Sequence, residues 1–191
     1  MRTCLVVCYS RTGLTAKVGQ EIASLCGGDF ELICEERSRN GLLGFLLSVM
    51  ESVLRKQPKI LPCTKDPADY ALIVLGTPVW AGHMAAPMRT YLLHHCKSFY
   101  RVALFCTMGS KGGVETLNEM AALCGKAPMA SVSMTDAEIQ RNSYHNKLMP
   151  LLSRLRRLLK RCAERRERTN GFVPGRRRHH PGPPVPPQTG G

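Results

Sequence analysis

Three apolar runs, Cys4 to Tyr9, Tyr70 to Gly76 and Arg101 to Cys106, each stop in a turn of glycines and hydroxyls and each lead into helical spacing. Runs without alternation suit strands buried on both faces, the condition of a central strand in a parallel sheet. Two weaker strands are expected at Asp29 to Cys34 and Met129 to Met134, and strand one spans about 3–9. Helical spacing covers about 14–26, Leu42 to Arg55, Met84 to Cys96, Val114 to Leu123 and 144–168. Strands alternating with helices connect by right-handed crossovers, so the strands belong to one parallel sheet.

The first turn, Ser10-Arg11-Thr12-Gly13-Leu14-Thr15, opens the helix marked by Val18, Ile22 and Leu25. A helix start carries unpaired N–H groups and the positive end of its dipole, and hydroxyls add donors. Together these make an anion pocket. Gly13 permits a positive φ or a close backbone approach. The second turn is Thr77-Pro78-Val79-Trp80-Ala81-Gly82-His83, and the third is Thr107-Met108-Gly109-Ser110-Lys111-Gly112-Gly113. Parallel sheets take ligands beyond the carboxyl ends of their strands, where strand order reverses. In the order 2-1-3-4-5, strands one, three and four are neighbours, so the three turns meet in one cleft.

The pattern Ser/Thr-x-Thr-Gly-x-Thr at 10–15 resembles the phosphate-binding loop of flavodoxins, and the likeness to that family extends over residues 3 to about 160. It implies an α/β three-layer sandwich: a five-stranded parallel sheet in the order 2-1-3-4-5, with helices on both faces and FMN held without a covalent bond. The resemblance places the phosphate on Ser10 to Thr15 and the isoalloxazine ring between 77–83 and 107–113. Trp80, the only tryptophan, stands where the family often has a ring-facing aromatic, and Pro78 and Gly82 are expected to hold it on a loop. Three departures from the family are plain. Leu14 replaces a frequent Asn, the third turn has no tyrosine, and the chain is basic where carrier flavodoxins are acidic.

In such a protein the cofactor supplies the chemistry and the chain supplies position and field. No residue reads as a catalytic acid, base or nucleophile, and no Cys or His spacing fits a metal. Arg11, His83 and Lys111 lie on the three turns with no acid among them, and nearby positive charge eases the second electron onto the cofactor. The expected activity is therefore oxidoreduction of a quinone-like or other small acceptor with NAD(P)H. The alternative is a one-electron carrier between redox proteins. A low-molecular-weight phosphatase would need Arg where Leu14 stands relative to Cys8, a receiver domain would need Asp in place of Tyr9-Ser10 or Gly76-Thr77, and no nucleotide P-loop is present.

Charge divides the chain. Residues 1–150 hold sixteen basic and twelve acidic side chains, and 151–191 hold eleven and two. The division suggests one domain over 1–165 and a disordered Pro/Gly/Arg-rich tail over 166–191. The tail and the basic helix before it offer a reading of another class, a non-enzymatic module on nucleic acid or anionic membrane. Arg178 to Pro184 also fits a Pro-rich peptide-ligand pattern. Nine cysteines lie mostly in apolar runs without Cys-x-x-Cys pairs, which favours a reducing cytoplasm over a disulfide framework. The six-residue N-terminal apolar run is too short for a signal peptide or a membrane span. The helix at 42–55 has a wide apolar face, expected to pack on the sheet, with a membrane or homodimer face as the alternative.

Overall fold

The computed structural model describes residues 2–36 and 48–170. Five parallel strands, β1 (Arg2–Tyr9), β2 (Asp29–Ile33), β3 (Tyr70–Trp80), β4 (Val102–Met108) and β5 (Ser131–Thr135), form a sheet in the order β2-β1-β3-β4-β5. Besides a helical stretch at 48–53, the helices are α1 (Leu14–Cys26), α2 (Ala86–His95), α3 (Gly113–Cys124), α4 (Asp136–Gln140) and α5 (His145–Asn170). Register is continuous across the centre, with Val6 opposite both Phe30 and Val74, and Val74 opposite Ala103.

Alternation along each strand splits the interior into two cores. Cys4, Val6 and Cys8 of β1 face α1 and α5, joining Val18, Ile22, Phe105, Leu148, Leu152 and Leu155. Leu5, Val7 and Tyr9 face the other way, joining Met88, Tyr91, Leu92 and Met120 of α2 and α3. Because both faces are covered, β1 reads as an unbroken apolar run. Among the described residues Cys4, Cys8, Cys106 and Cys124 are buried, and burial pushes each thiol up to about 12. They pack as small hydrophobes and are poor nucleophiles.

Several expected boundaries are corrected. β3 does not stop at Gly76; it continues to Trp80 and pairs antiparallel with His83–Met84. Gly76 is a mid-strand residue, because a Cβ there would lie 2.0 Å from Cζ of Phe105, whose ring covers it. β4 likewise runs past Cys106 to Met108, and α2 starts at Ala86, with Pro87 in its first turn. β5 begins at Ser131 instead of Met129. The short α4 was not expected, although Thr135-x-x-Glu138 is a capping-box pattern and both of its hydrogen bonds form. Pro150 lies inside α5 beyond its first turn, so it removes one helix hydrogen bond. α5 runs unbroken across the expected tail boundary at 165–166 as far as Asn170, and 171–191 lie outside the described residues. Of the helix expected over 42–55, residues 42–47 lie outside the described residues and 48–53 are helical. No helix among the described residues is long and apolar enough to cross a membrane.

Candidate functional site

The turn after β1 delivers the chain into α1 through Gly13, the N-cap, at φ 87°. Only glycine takes that conformation without strain. No side chain caps the helix start and no acid occupies its first turn, so its N–H groups and dipole face outward uncompensated. Beside them the buried Oγ of Ser10 has no hydrogen-bond partner among the described residues. Thr12 and Gly13 are exposed, and Leu14 is half-buried. Arg11 Nη1 donates to Ser48 Oγ at 3.4 Å, a partner that sequence spacing does not suggest.

Turn one is tied to turn three. The hydroxyls of Thr15 and Thr107 meet at 2.7 Å in the interior. Turn three then exposes Gly109, Ser110 and Lys111 and enters α3 through Gly112 at φ 93°, a second helix start without a side-chain cap. Met108 and Gly112 are half-buried, and Gly113 is buried against Ser133 and the Met108 sulfur.

Turn three also touches turn two. A Cβ on Gly112 would lie 2.9 Å from Gly82 Cα and 3.0 Å from Val79 Cγ1, so the two segments close on each other there. Turn two is a two-residue hairpin. Ala81 and Gly82 have φ of 50° and 81°, the consecutive positive values that a type I′ turn requires, and Trp80 pairs with His83 across it. Thr77 is fully buried; its hydroxyl accepts the Ala85 N–H at 3.0 Å and donates to the Pro78 carbonyl at 3.1 Å. Pro78 and Val79 are half-buried at the rim. Trp80 lies on the strand and is 7% exposed, with its ring edge-on to Tyr9 at 5.7 Å. It therefore belongs to the core under the cleft, and the expected loop position is corrected.

Glu119 of α3 fastens the hairpin. It accepts the Met84 N–H at 3.1 Å, pairs with the buried Arg89 guanidinium, and lies 3.6 Å from His83 Nδ1 and 3.8 Å from Arg55 Nε. The turns themselves carry no acid, yet the fold brings this carboxylate to His83, so the positive field is weaker than sequence reading expects. Nothing in the sequence signals Glu119, because its partners lie about thirty or more positions away. Two surface hollows, about 340 Å³ near Pro58, Thr90 and His94 and about 300 Å³ near Ser131 and Arg154, include no residue of the three turns. Among the described residues no cluster of His, Cys, Asp or Glu is arranged to hold a metal.

No family model and no curated protein sequence matches the chain. Solved structures do. A Lactobacillus acidophilus flavoprotein in complex with FMN aligns at 21% identity over 74% of this chain and 98% of its own, with a TM-score of 0.62. The fold is flavodoxin-like. The apo form of the same flavoprotein aligns at 20% identity over 73% of this chain and 96% of its own, with a TM-score of 0.53. Rubredoxin oxygen:oxidoreductase from Desulfovibrio gigas aligns at 14% identity over 84% of this chain and 36% of its own, also with a TM-score of 0.53. A flavodoxin-like sheet reverses its strand order between β1 and β3; the first two turns leave the sheet on either side of that reversal, and the third follows the adjacent strand β4.

Proposed function

We propose that the chain is an FMN-binding redox protein. The phosphate sits on Ser10, Arg11, Thr12, Gly13, Leu14 and Thr15, and the ring lies along the outer rim of 77–83 and 107–113, outward of the Gly82–Gly112 contact. One observation carries this reading: a buried, unpartnered Ser10 hydroxyl beside an uncapped helix start. Such a donor set suits a compact dianion. Bound FMN would accept and release electrons in one- or two-electron steps. The chain's part is to hold the phosphate, to fix the rim through the Thr15–Thr107 and Glu119–Met84 hydrogen bonds, and to keep Thr77 and Trp80 as a rigid floor.

Titration of the apoprotein with FMN and with riboflavin, followed by flavin fluorescence, tests the reading. Hydrogen bonds to a charged group contribute about 1.5–3 kcal/mol each, so the phosphate should give FMN at least a tenfold advantage. Equal affinity, or no binding of either, would overturn it.

For the electron route we propose transfer from NAD(P)H to a quinone-like or other small acceptor, supported by the cations Arg11 and Lys111 on the turns. The carboxylate of Glu119 beside His83 favours the second reading, a one-electron carrier between redox proteins. NAD(P)H oxidation that depends on an added quinone supports the first; two well-separated one-electron potentials support the second.

A further inference from the structure

α5 seals one core and presents a different surface outward. Leu148, Leu151, Leu152, Leu155 and Leu159 are buried against the sheet, while Arg154, Arg157, Lys160 and Arg161 are exposed. From 145 to 163 the sequence holds no acid. Arg154, Arg157 and Arg161 recur at three and four residues and so share a face, over about 10 Å of helix. The hollow beside them, about 300 Å³, carries Arg154 on its rim together with Lys147, whose ammonium pairs with Glu138 at 2.6 Å.

This face lies away from the cleft. α1 leaves the first turn at Leu14, and Arg156 of α5 donates from Nε and Nη2 to the Leu25 carbonyl at its far end, at 3.1 and 2.9 Å. Eleven residues of α1 separate those points, about 16 Å. His145 pairs with Glu21 earlier on α1, so α5 passes down alongside it and carries its cations to the opposite pole.

We propose that this face binds the phosphate backbone of duplex nucleic acid without reading its sequence. The partner must be a polyanion, because four exposed cations gather here against one described acid of their own helix, Glu164, a turn beyond Lys160. Lipid fits poorly: the leucines are already spent on the core, and among the large apolar side chains of 145–161 only Met149 is exposed. An acidic redox partner also fits poorly, since it must dock at the cleft and not at the other pole. The stretch 145–170 has no Phe, Tyr or Trp to stack on a base, which leaves backbone contact alone.

Fluorescence anisotropy of a labelled duplex of about 20 base pairs with the full chain tests this. Neutralising four phosphates gives a log–log salt slope near −3.6, about a 150-fold loss of affinity between 50 and 200 mM salt. Full-chain Arg154→Gln/Arg157→Gln/Arg161→Gln should flatten the slope to about −1 and weaken low-salt binding more than tenfold. Lys160→Gln/Arg161→Gln should flatten the slope to about −1.8 and guards against misfolding of the triple variant. Changing the duplex sequence should have no effect. The proposal is overturned if no duplex binds at low salt. It is overturned equally if Arg176, Arg177 and Arg178→Ala in the full chain abolishes binding while the helix variants do not, or if phosphatidylserine vesicles bind and the duplex fails to displace them.

Discussion

Thr15 and Thr107 share a 2.7 Å hydrogen bond in the interior, one hydroxyl from the first turn of α1 and the other from the end of β4. It is a direct link between two of the three turns. Thr107→Val would leave the Thr15 hydroxyl buried and unpaired, at a cost of about 1–3 kcal/mol. Replacing both by Val removes the orphan along with the bond, so the double variant should be more stable than the sum of the singles implies. A double-mutant cycle by urea unfolding measures this, and simple additivity would contradict it.

Ser10 should behave in the opposite way. Its hydroxyl has no partner in the free protein, so Ser10→Ala should leave the unfolding midpoint unchanged or slightly raised. FMN affinity should nevertheless fall about tenfold, the worth of one hydrogen bond to a charged group. A stability loss without an affinity loss would give Ser10 a structural role instead.

Gly76→Ala places a methyl where the Phe105 ring lies, and forced overpacking costs about 1–3 kcal/mol or more. Adding Phe105→Leu should recover part of that loss, because the obstacle is the ring. Thermal unfolding of the single and double variants decides the point.

Glu119→Gln keeps an acceptor for the Met84 N–H but leaves Arg89, whose side chain is only 9% exposed, without its counter-charge. Breaking a buried pair on one side costs about 3 kcal/mol. Since the same carboxylate anchors the hairpin, FMN affinity should fall with stability; a variant with normal stability and normal binding would contradict both roles.

The Lys147 ammonium, followed by the Thr135 N–H, holds the Glu138 carboxyl at about 2, below the usual 4.5. A lowered value in the folded state means a stabilisation complete above 4.5 that fades as pH falls towards about 2. Glu138 is partly exposed, so the effect stays under about 1 kcal/mol. On acidification wild type should therefore lose slightly more unfolding temperature than Glu138→Gln.

Central strands and the first helix were legible because burial on both faces leaves an unmistakable apolar run, and because Gly13 and Gly27 bound α1. The hairpin at 77–84 reads as a loop in sequence because Pro78 and Gly82 look like breakers. Val79-Trp80-Ala81-Gly82-His83 is nonetheless what a two-residue turn between short strands looks like. Gly76 reads as the end of its strand, whereas it stands mid-strand and admits an aromatic ring from the next strand. The Glu119 cluster was out of reach, since it joins α3 to α2 and to the hairpin by contacts that leave no periodic trace.

Arg156 ends α1 by donating to the Leu25 carbonyl, just where α5 makes its last leucine contacts with the sheet. The helix thus has two separable faces, a lid turned to the sheet and a handle turned outward. Evolution or an engineer can recharge or exchange the handle while the lid stays shut, and so redirect where the protein goes without touching what its cleft holds.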